Sequence, residues 1–483
     1  MSAPLSMAEV QSRVAAELER IGTVVDELGG RFVAAGHSLH LVGGPVRDAM
    51  LGRLQNDLDF TTSAHPDAIE RILRGWADAV WDIGRAFGTI GCRKGAWTIE
   101  ITTFRSEAYR PDSRKPEVAY GTDLAGDLGR RDFTVNAMAV SVPDRVFEDP
   151  YGGVVDLAHR VLRTPGRPED SFSDDPLRMM RAARFAAQLG FEVAPEVVAA
   201  MTAMAERIDV ISAERVRDEL VKLVCAPEPR RGLALLVETG LADRVLPELP
   251  ALRLERDEHH RHKDVYEHSL TVLEQAIDLE HRLAGPDGTG VPDFVVRFAA
   301  LVHDIGKPRT RKFLADGSVT FHHHDVVGAK MARKRMKALR FSGEQIEAVS
   351  TLVELHLRFH GYGDGGWTDS AVRRYVRDAG SQVERLHILT RADCTTRNRR
   401  KAERLRRTYD DLERRIAELA EREELDAIRP DLDGNAIMRI LGIGPGREVG
   451  EAYRFLLELR TDEGPQTPEA AEAALREWWA ARS

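Results

Sequence analysis

The stretch that decides the fold is Leu41-Val-Gly-Gly-Pro-Val-Arg-Asp-Ala-Met-Leu-Gly-Arg-Leu-Gln-Asn-Asp-Leu-Asp-Phe-Thr-Thr62. It predicts a strand ending at Gly43-Gly44, a short helix over residues 46–51, and a second strand that opens with Asp57 and Asp59. Glycines let backbone N–H groups approach a phosphate, and a helix N-terminus favours anions. Because side chains two apart in a strand share a face, the two carboxylates can hold one or two Mg²⁺ ions against a triphosphate. A glycine-turned hairpin with two solvated aspartates is the alternative that these residues leave open.

The composition sets broad limits on the protein. With 483 residues the chain should contain about three domains. A net charge of −9 argues against a general polycation, although a local basic face can still bind nucleic acid. The three cysteines (Cys92, Cys225 and Cys394) are widely spaced and fit a reducing compartment. Since no apolar run reaches 18 residues and no signal pattern opens the chain, we expect a soluble, cytoplasmic protein that does not bind membranes.

The texture of the sequence changes along the chain and predicts five regions. Residues 1–30 have the periodicity of an amphipathic helix, and residues 31–165 mix short apolar strands with glycines. Residues 166–255 predict a helical neck, residues 256–400 a histidine-rich helical domain, and residues 401–483 a helical C-terminal region. The predicted fold class is therefore α+β, with an α/β head followed by a mostly α-helical remainder.

Four further blocks complete the pattern of the first half. They are Arg130-Arg-Asp-Phe-Thr-Val-Asn-Ala-Met138, Asp149-Pro-Tyr-Gly-Gly-Val-Val-Asp-Leu157, Phe172-Ser-Asp-Asp-Pro-Leu-Arg178 and Glu214-Arg-Val216 with Glu219. Two arginines followed by an acid suit a phosphate clamp beside an acceptor for a ribose hydroxyl. A basic turn before an amphipathic helix would produce the same letters.

Together with the opening stretch, these ordered blocks resemble class II tRNA nucleotidyltransferases, which are the CCA-adding enzymes and their poly(A) polymerase relatives. The resemblance implies a polymerase-β-like nucleotidyltransferase head and a helical neck that carries a nucleobase-selecting helix. It also implies two-metal transfer of CMP and AMP from CTP and ATP to the tRNA 3′ end, with release of pyrophosphate. Magnesium would be bound by the catalytic pair Asp57 and Asp59. The residues that the resemblance assigns to nucleotide binding are Gly44, Arg47, Arg131, Asp132, Asp175, Arg178, Arg181 and Arg184.

Three positions in this half carry finer expectations. Asp175 and Arg178 lie three apart, so an acceptor and a donor could read the amine and ring acceptors that C and A share, whereas U and G present a carbonyl at that place. Asp175 before Pro176 is also a good helix N-cap. Glu100 could be a third acid or an outward-facing strand residue. The polar run 103–120 predicts a mobile loop; it resembles the family's flexible loop, which favours complete CCA addition over CC addition.

The second half concentrates histidine. All but four of the 16 histidines follow residue 255, and imidazoles and carboxylates on successive helices can converge on a divalent metal. This pattern resembles the HD metal-dependent phosphohydrolases. The resemblance implies His268, His303, Asp304 and Asp393 as primary ligands, His324 and His356 as candidates for a second metal site, and Lys307 as a phosphate contact. The metal would be a second divalent transition metal beside Mg²⁺, and an HD fold that only holds tRNA is the alternative.

The remaining predictions concern surfaces and function. Histidines 259, 260, 262, 322 and 323 are expected at the surface, and the basic helix over residues 397–416 is a candidate phosphate contact. The first functional hypothesis is template-independent CCA addition to tRNA. Its alternatives are poly(A) polymerase and a mainly HD phosphohydrolase that acts on RNA ends. The sequence leaves open the oligomeric state and the choice between CCA, A-only and CC-only addition.

Overall fold

A computed structural model describes residues 7–82, 84–108, 117–120, 123–253, 264–316, 318–362, 367–396, 398–423 and 429–482. The chain forms two compact units, residues 1–247 and 248–483. Among the described helices, none combines the length and apolarity that crossing a bilayer requires.

The first unit mixes helices and strands. Its helices are Met7–Ala34 (α1), Gly44–Met50 (α2), Pro66–Leu73 (α3), Leu124–Gly129 (α4), Gly153–His159 (α5), Pro168–Asp174 (α6), Leu177–Leu189 (α7), Pro195–Met204 (α8), Ala213–Val224 (α9), Pro229–Glu238 (α10) and Leu241–Val245 (α11). Its strands are Leu39–Val42 (β1), Asp57–Thr62 (β2), Ala79–Trp81 (β3), Thr89–Lys94 (β4), Trp97–Thr103 (β5), Arg105–Ala108 (β6), Glu117–Tyr120 (β7), Ala139–Ser141 (β8), Phe147–Glu148 (β9), Val161–Leu162 (β10) and Glu192–Val193 (β11).

The main sheet positions the site of the first unit. Within the described residues it has seven strands in the order β3-β4-β5-β2-β1-β8-β9. The central pair β2 and β5 is parallel, and the other neighbours are antiparallel. Exposure along β2 alternates at its start, with Leu58 and Phe60 buried and the acids between them exposed. This alternation follows from the two-residue period of a strand that has one face on the core.

The second unit is mostly helical. Its helices are Val265–Leu279 (α12), Phe294–Val302 (α13), Lys307–Thr310 (α14), His324–Ala338 (α15), Gly343–Leu355 (α16), Asp369–Ala379 (α17), Val383–Ala392 (α18), Arg399–Glu423 (α19), Gly434–Leu441 (α20), Arg447–Glu463 (α21) and Pro468–Ala480 (α22). A small antiparallel hairpin joins Lys312–Phe313 (β12) to Val319–Thr320 (β13). Buried side chains of α12, α13, α16 and α18 form the core around the histidine cluster.

The sequence-based fold class is confirmed, and several local predictions need correction. The first helix continues to Ala34 rather than stopping at residue 30. The run 103–120 is not a loop throughout, because β6 and β7 pair in register from Arg105 with Tyr120 to Ala108 with Glu117, while residues 109–116 lie outside the described residues. The block after Arg130-Arg131 forms only a 3-10 turn over Thr134–Asn136. The helical remainder also contains the short pairs β10–β11 and β12–β13. The five domain boundaries remain a prediction.

Candidate functional site

Two neighbouring strands bring three carboxylates to one face of the sheet. Asp57 and Asp59 are both exposed on β2, whereas Leu58 between them is buried. Glu100 is the register partner of Asp59 on parallel strand β5 and is exposed between two buried isoleucines. Although solvent reaches Asp59, the protein around its carboxylate removes part of its water; this effect, followed by the charge of Glu100, raises the pKa of Asp59 to about 6. A bound cation would relieve this repulsion.

The glycine turn lies beside these acids. Gly43 has φ 73°, and a Cβ at this position would lie 2.9 Å from Nη1 of Arg131. Glycine is therefore required both for the backbone conformation and for the close approach of an arginine. Helix α2 follows directly, with Pro45 in its first turn.

A buried acid that sequence reasoning missed fixes the two arginines of the second block. The carboxylate of Asp127 on α4 has no exposed surface, and it lies 2.8 Å from Nη2 of Arg130 and 3.2 Å from Nη2 of Arg131. Burial by itself would raise the pKa of Asp127, but the two guanidinium groups outweigh it and hold that pKa below its usual range. The spacing of three and four residues was the available signal.

Asp132 is the centre of a buried hydrogen-bond network. Its Oδ2 accepts hydrogen bonds from Arg181, at 2.8 Å from Nε and 2.5 Å from Nη2, and its Oδ1 accepts from the side-chain amide of Asn136 at 2.9 Å. Asn136 accepts in turn from Nη1 of Arg47 at 2.7 Å. Burial opposes ionisation of Asp132, but the charge of Arg181 and these hydrogen bonds hold its pKa well below the usual value. The predicted ribose and phosphate residues are thus held in place before any ligand binds.

Phe185 on α7 packs against three guanidinium groups. The guanidinium carbons of Arg184, Arg47 and Arg181 lie 4.0, 5.2 and 5.5 Å from its ring centroid. Arg184 also donates from Nε to buried Glu219 on α9 at 2.6 Å. Sequence reasoning quoted Glu219 only as part of a motif and missed Phe185; a lone aromatic among small residues of a helix offered no signal.

The predicted base-reading pair is confirmed as a neighbouring pair, but Asp175 is not in the helix. Asp175 has extended backbone just before Pro176, and its Oδ1 accepts from the backbone N–H of Leu177 at 3.1 Å. Its Oδ2 lies 2.9 Å from Nη2 of Arg215. The cap alternative is therefore real, yet a carboxylate has about four acceptor positions and two of them remain.

Arg178 is buried and directed toward the same space. Its Nη1 donates to Oγ of Ser171 at 2.8 Å, and its Nη2 donates to the backbone carbonyl of Arg130. A guanidinium has five N–H donors, so some remain for a ligand.

All these groups except Asp57 and Glu100 line one cavity of about 390 Å³. Its lining residues are Gly43, Gly44, Arg47, Asp59, Arg130, Arg131, Asp132, Asn136, Asp175, Leu177, Arg178, Arg181, Arg184, Phe185, Gln188 and Arg215. Every nucleotide-binding residue predicted from the sequence is therefore in the same place, with Asp59 at the edge and a strongly cationic wall.

The histidine cluster of the second unit also converges. Nε2 of His268 lies 2.9 Å from Oδ1 of Asp393. The two oxygens of Asp304 divide the cluster, since Oδ2 lies 3.2 Å from Nε2 of His303 and Oδ1 lies 3.2 Å from Nε2 of His324. The six predicted ligands form two metal-sized groups, which are His268, His303 and Asp393, and Asp304, His324 and His356.

The hydrogen bonds of the cluster fit a metal site. In His303, His324 and His356 the Nδ1 atom lies 2.9, 2.8 and 2.6 Å from a backbone carbonyl three residues earlier, which places the proton there and leaves the Nε2 lone pair free. Among the described residues, these three Nε2 atoms and Oδ1 of Asp304 are buried without a hydrogen-bond partner. Burial, followed by the charge of His303, lowers the pKa of His356 to about 4. Acceptors that face one another in a buried site are stabilised by a cation between them.

Two details of the HD prediction change. His303 does not lie within an apolar helix but caps the C-terminal end of α13. Lys307, predicted to contact phosphate, places Nζ 2.5 Å from Oδ2 of Asp304. The predicted surface positions His322 and His323 are exposed, and residues 259, 260 and 262 lie outside the described residues.

Fold and sites together define a polymerase-type nucleotidyltransferase head, an RNA-binding neck and an HD domain. Family models described as the poly A polymerase head domain, the probable RNA and SrmB-binding site of polymerase A, and the HD domain match residues 39–163, 190–252 and 265–398.

Relatives of known name place the chain more narrowly. It is 34% identical over 450 residues to the A-adding tRNA nucleotidyltransferase of Deinococcus radiodurans, covering 91% of this chain and 95% of that protein. It is 44% identical over 208 residues to the CCA-adding enzyme of Levilactobacillus brevis, covering 43% of this chain and 51% of that enzyme. The chain thus matches about half the length of this CCA-adding enzyme. The chain belongs to the class II tRNA nucleotidyltransferase family, in the form that carries an HD domain.

Solved structures share the fold. The Bacillus stearothermophilus CCA-adding enzyme in complex with CTP aligns with a TM-score of 0.66 at 24% identity, covering 96% of this chain and 98% of that one. The Thermotoga maritima CCA-adding enzyme complexed with tRNA aligns with a TM-score of 0.57 at 17% identity.

Proposed function

We propose that this chain adds CCA to the 3′ end of tRNA without a nucleic-acid template, using CTP and ATP. The observation that carries the proposal is one cavity that has acids on a sheet face at its edge and the Asp175 and Arg178 pair on its wall. In the reaction, the 3′-oxygen of the tRNA attacks the α-phosphorus of the nucleotide. The bond from that phosphorus to the bridging oxygen breaks, and pyrophosphate leaves. We place this activity in the cytoplasm.

Asp57 and Asp59 would hold Mg²⁺, and Glu100 would contribute a third carboxylate. Hard oxygen ligands on one face suit this ion, which binds through one or two carboxylates and substrate phosphates. Once bound, Mg²⁺ lowers the pKa of the attacking hydroxyl and neutralises charge on the leaving group.

The cationic wall would bind the triphosphate. Arg131 stands against the glycine turn and is fixed by buried Asp127. Arg47 is oriented by Asn136, and Arg181 by Asp132. Because these contacts exist without the nucleotide, little ordering of long side chains remains to oppose binding.

Base selection would fall to Asp175 and Arg178. The two free acceptor positions of Asp175 can receive the exocyclic amine of C or A, whereas the carbonyl of U or G would face a carboxylate. Arg178 can donate to ring acceptors of the base. Arg215 would keep the Asp175 carboxylate ionised and in place.

Addition of the terminal A alone is the second candidate. The A-adding relative from Deinococcus radiodurans matches along nearly its full length, whereas the match to the CCA-adding enzyme of Levilactobacillus brevis covers only about half of that enzyme.

An extension assay separates these functions. Three tRNA substrates ending before CCA, after one C and after both C residues are each offered labelled CTP, ATP or both. CCA addition predicts C incorporation on the first two substrates, A incorporation on the third, and a stop after A. Extension of only the third substrate would establish A-only addition, and a long A tail would establish a poly(A) polymerase.

We also propose that the HD cluster hydrolyses phosphate esters, because its buried Nε2 atoms fit a divalent transition metal. A water oxygen would attack phosphorus and displace the ester oxygen, and the metal would supply an activated water. Hydrolysis of p-nitrophenyl phosphate with Mn²⁺, Ni²⁺ or Co²⁺, and its loss in His303→Ala, tests this second activity. An unchanged rate in His303→Ala would contradict it.

A further inference from the structure

The HD ligands are separated in the sequence by an exposed hairpin. His303 and Asp304 precede it and His324 follows it, so both ends of the segment are fixed at the cluster. Strands β12 and β13 pair Lys312 with Thr320 and Phe313 with Val319.

This hairpin exposes adjacent large apolar side chains. Phe313 is 66% exposed and Leu314 is 48% exposed, although most large apolar side chains of the unit are buried. Single exposed apolar residues are ordinary, but an exposed aromatic ring next to a second apolar residue on a projecting hairpin calls for a ligand.

The same segment is strongly cationic. Between residues 307 and 323 it has the four cations Lys307, Arg309, Arg311 and Lys312, and one acid, Asp316. Arg309 and Lys312 are exposed and make no ion pair in the part of the chain that the structure describes, and the guanidinium of Arg311 lies 4.6 Å from the ring centroid of Phe313. Lys307 links this surface to the cluster, since its Nζ lies 2.5 Å from Asp304 and 5.8 Å from the ring centroid of Phe321.

We propose that this hairpin binds the single-stranded 3′ end of an RNA and brings its terminal phosphate to the HD cluster. A base stacks on Phe313, backbone phosphates pair with Arg309 and Lys312, and the last phosphate meets Lys307. Aromatic rings interleaved with cations are the usual means of holding single strands without reading their sequence. Two apolar residues are too few for a stable protein interface, which favours the nucleic acid.

This inference names the substrate of the HD activity proposed above, and the test separates the two. The full chain with Mn²⁺ is titrated into a fluorescent single-stranded RNA of about six nucleotides that ends in a 3′-phosphate, and anisotropy reports binding without any turnover. Phe313→Ala should weaken binding about tenfold, and Phe313→Trp should preserve it. Tyr453→Ala removes an exposed aromatic ring from the same unit and should have no effect. The variant Arg309→Ala with Lys312→Ala should reduce the salt dependence by about 0.7 per lost phosphate contact.

A hydrolysis measurement completes the test. Phe313→Ala should raise KM for release of phosphate from this RNA and leave p-nitrophenyl phosphate hydrolysis unchanged. If the wild type hydrolyses neither compound but Phe313→Ala still weakens RNA binding, the HD activity fails and the hairpin assignment stands. Equal RNA binding by the wild type and Phe313→Ala would overturn the hairpin assignment. Loss of binding to phosphatidylserine vesicles in Phe313→Ala, with RNA binding intact, would also overturn it.

Discussion

The two acid-bearing centres of this chain treat their charges in opposite ways. In the first unit, the buried carboxylates Asp127, Asp132 and Glu219 are paired with arginines, and the two carboxylates proposed for Mg²⁺ are exposed. In the HD cluster, buried Nε2 atoms face a buried carboxylate oxygen without a proton between them. The first centre is thus complete without a cation except at its open edge, whereas the second has unsatisfied polar atoms at its middle.

This difference implies different routes to metal binding. Exposed carboxylates on a strand supply only part of a Mg²⁺ coordination shell, so the nucleotide phosphates must supply the rest. Three imidazoles and a carboxylate already directed at one another can bind a transition metal from the protein side alone. We therefore expect the head to take up metal together with nucleotide and the HD cluster to hold metal without it.

The largest expected effect belongs to Asp57→Asn with Asp59→Asn. Extension of tRNA should fall at least about a thousandfold, since the lost charge stabilisation is about 4 kcal/mol or more. Hydrolysis by the HD cluster should persist. Asp67→Asn, an exposed acid of the same unit that pairs with Arg85, is the control and should extend tRNA normally. Extension at the wild-type rate in the double variant would place the catalytic acids elsewhere.

His303→Ala should separate the centres in the other direction. Mn²⁺ at about 100 times its Kd should stabilise the wild type by about 2.7 kcal/mol, and this gain should vanish in the variant while tRNA extension continues. His387→Ala is the matched control, because His387 is also buried but lies near Glu413 outside the cluster. A Mn²⁺-dependent rise in Tm that survives in His303→Ala would contradict the assignment.

Asp175→Ala should change selectivity more than rate. Incorporation of U and G relative to C and A should rise at least about tenfold, because the carboxylate that repels their carbonyls is gone. The lost helix cap should also cost about 1 kcal/mol of stability. Asp433→Ala removes a cap in the second unit, where the Asp433 side chain accepts from the N–H of Ala436, and controls for that loss. Unchanged selectivity would reduce Asp175 to its capping role.

The smallest effect should come from Glu219→Gln. Glutamine keeps the shape and removes the charge opposite Arg184, which should raise KM for CTP about fivefold, or about 1 kcal/mol, with kcat little changed. Glu228→Gln, at an exposed acid paired with Arg231, is the control. A fall in kcat with an unchanged KM would show that Glu219 acts on the reaction step rather than on nucleotide position.

Local periodicity explains which parts of the sites could be predicted. The shared face of Asp57 and Asp59 follows from the two-residue repeat of a strand, and the structure confirms it. The position of Asp175 did not follow, because the proline after it moves the helix start beyond it and leaves the aspartate in extended backbone.

Pairings over long sequence distance were the part that periodicity could not supply. The Asp132–Arg181 pair joins residues 49 positions apart, and the register of Glu100 against Asp59 depends on a parallel strand pair. In the HD cluster, the ligand types were readable from the sequence, but the division of the two oxygens of Asp304 between His303 and His324 required the packing of two helix ends.

Calorimetric titration with Mn²⁺, in the presence and absence of CTP, tests the contrast between the centres most directly. The account predicts one class of sites that binds without CTP and disappears in His303→Ala. It predicts a second class that appears only with CTP and disappears in Asp57→Asn with Asp59→Asn. Binding of CTP-dependent Mn²⁺ by that double variant, or loss of both classes in His303→Ala, would contradict the account.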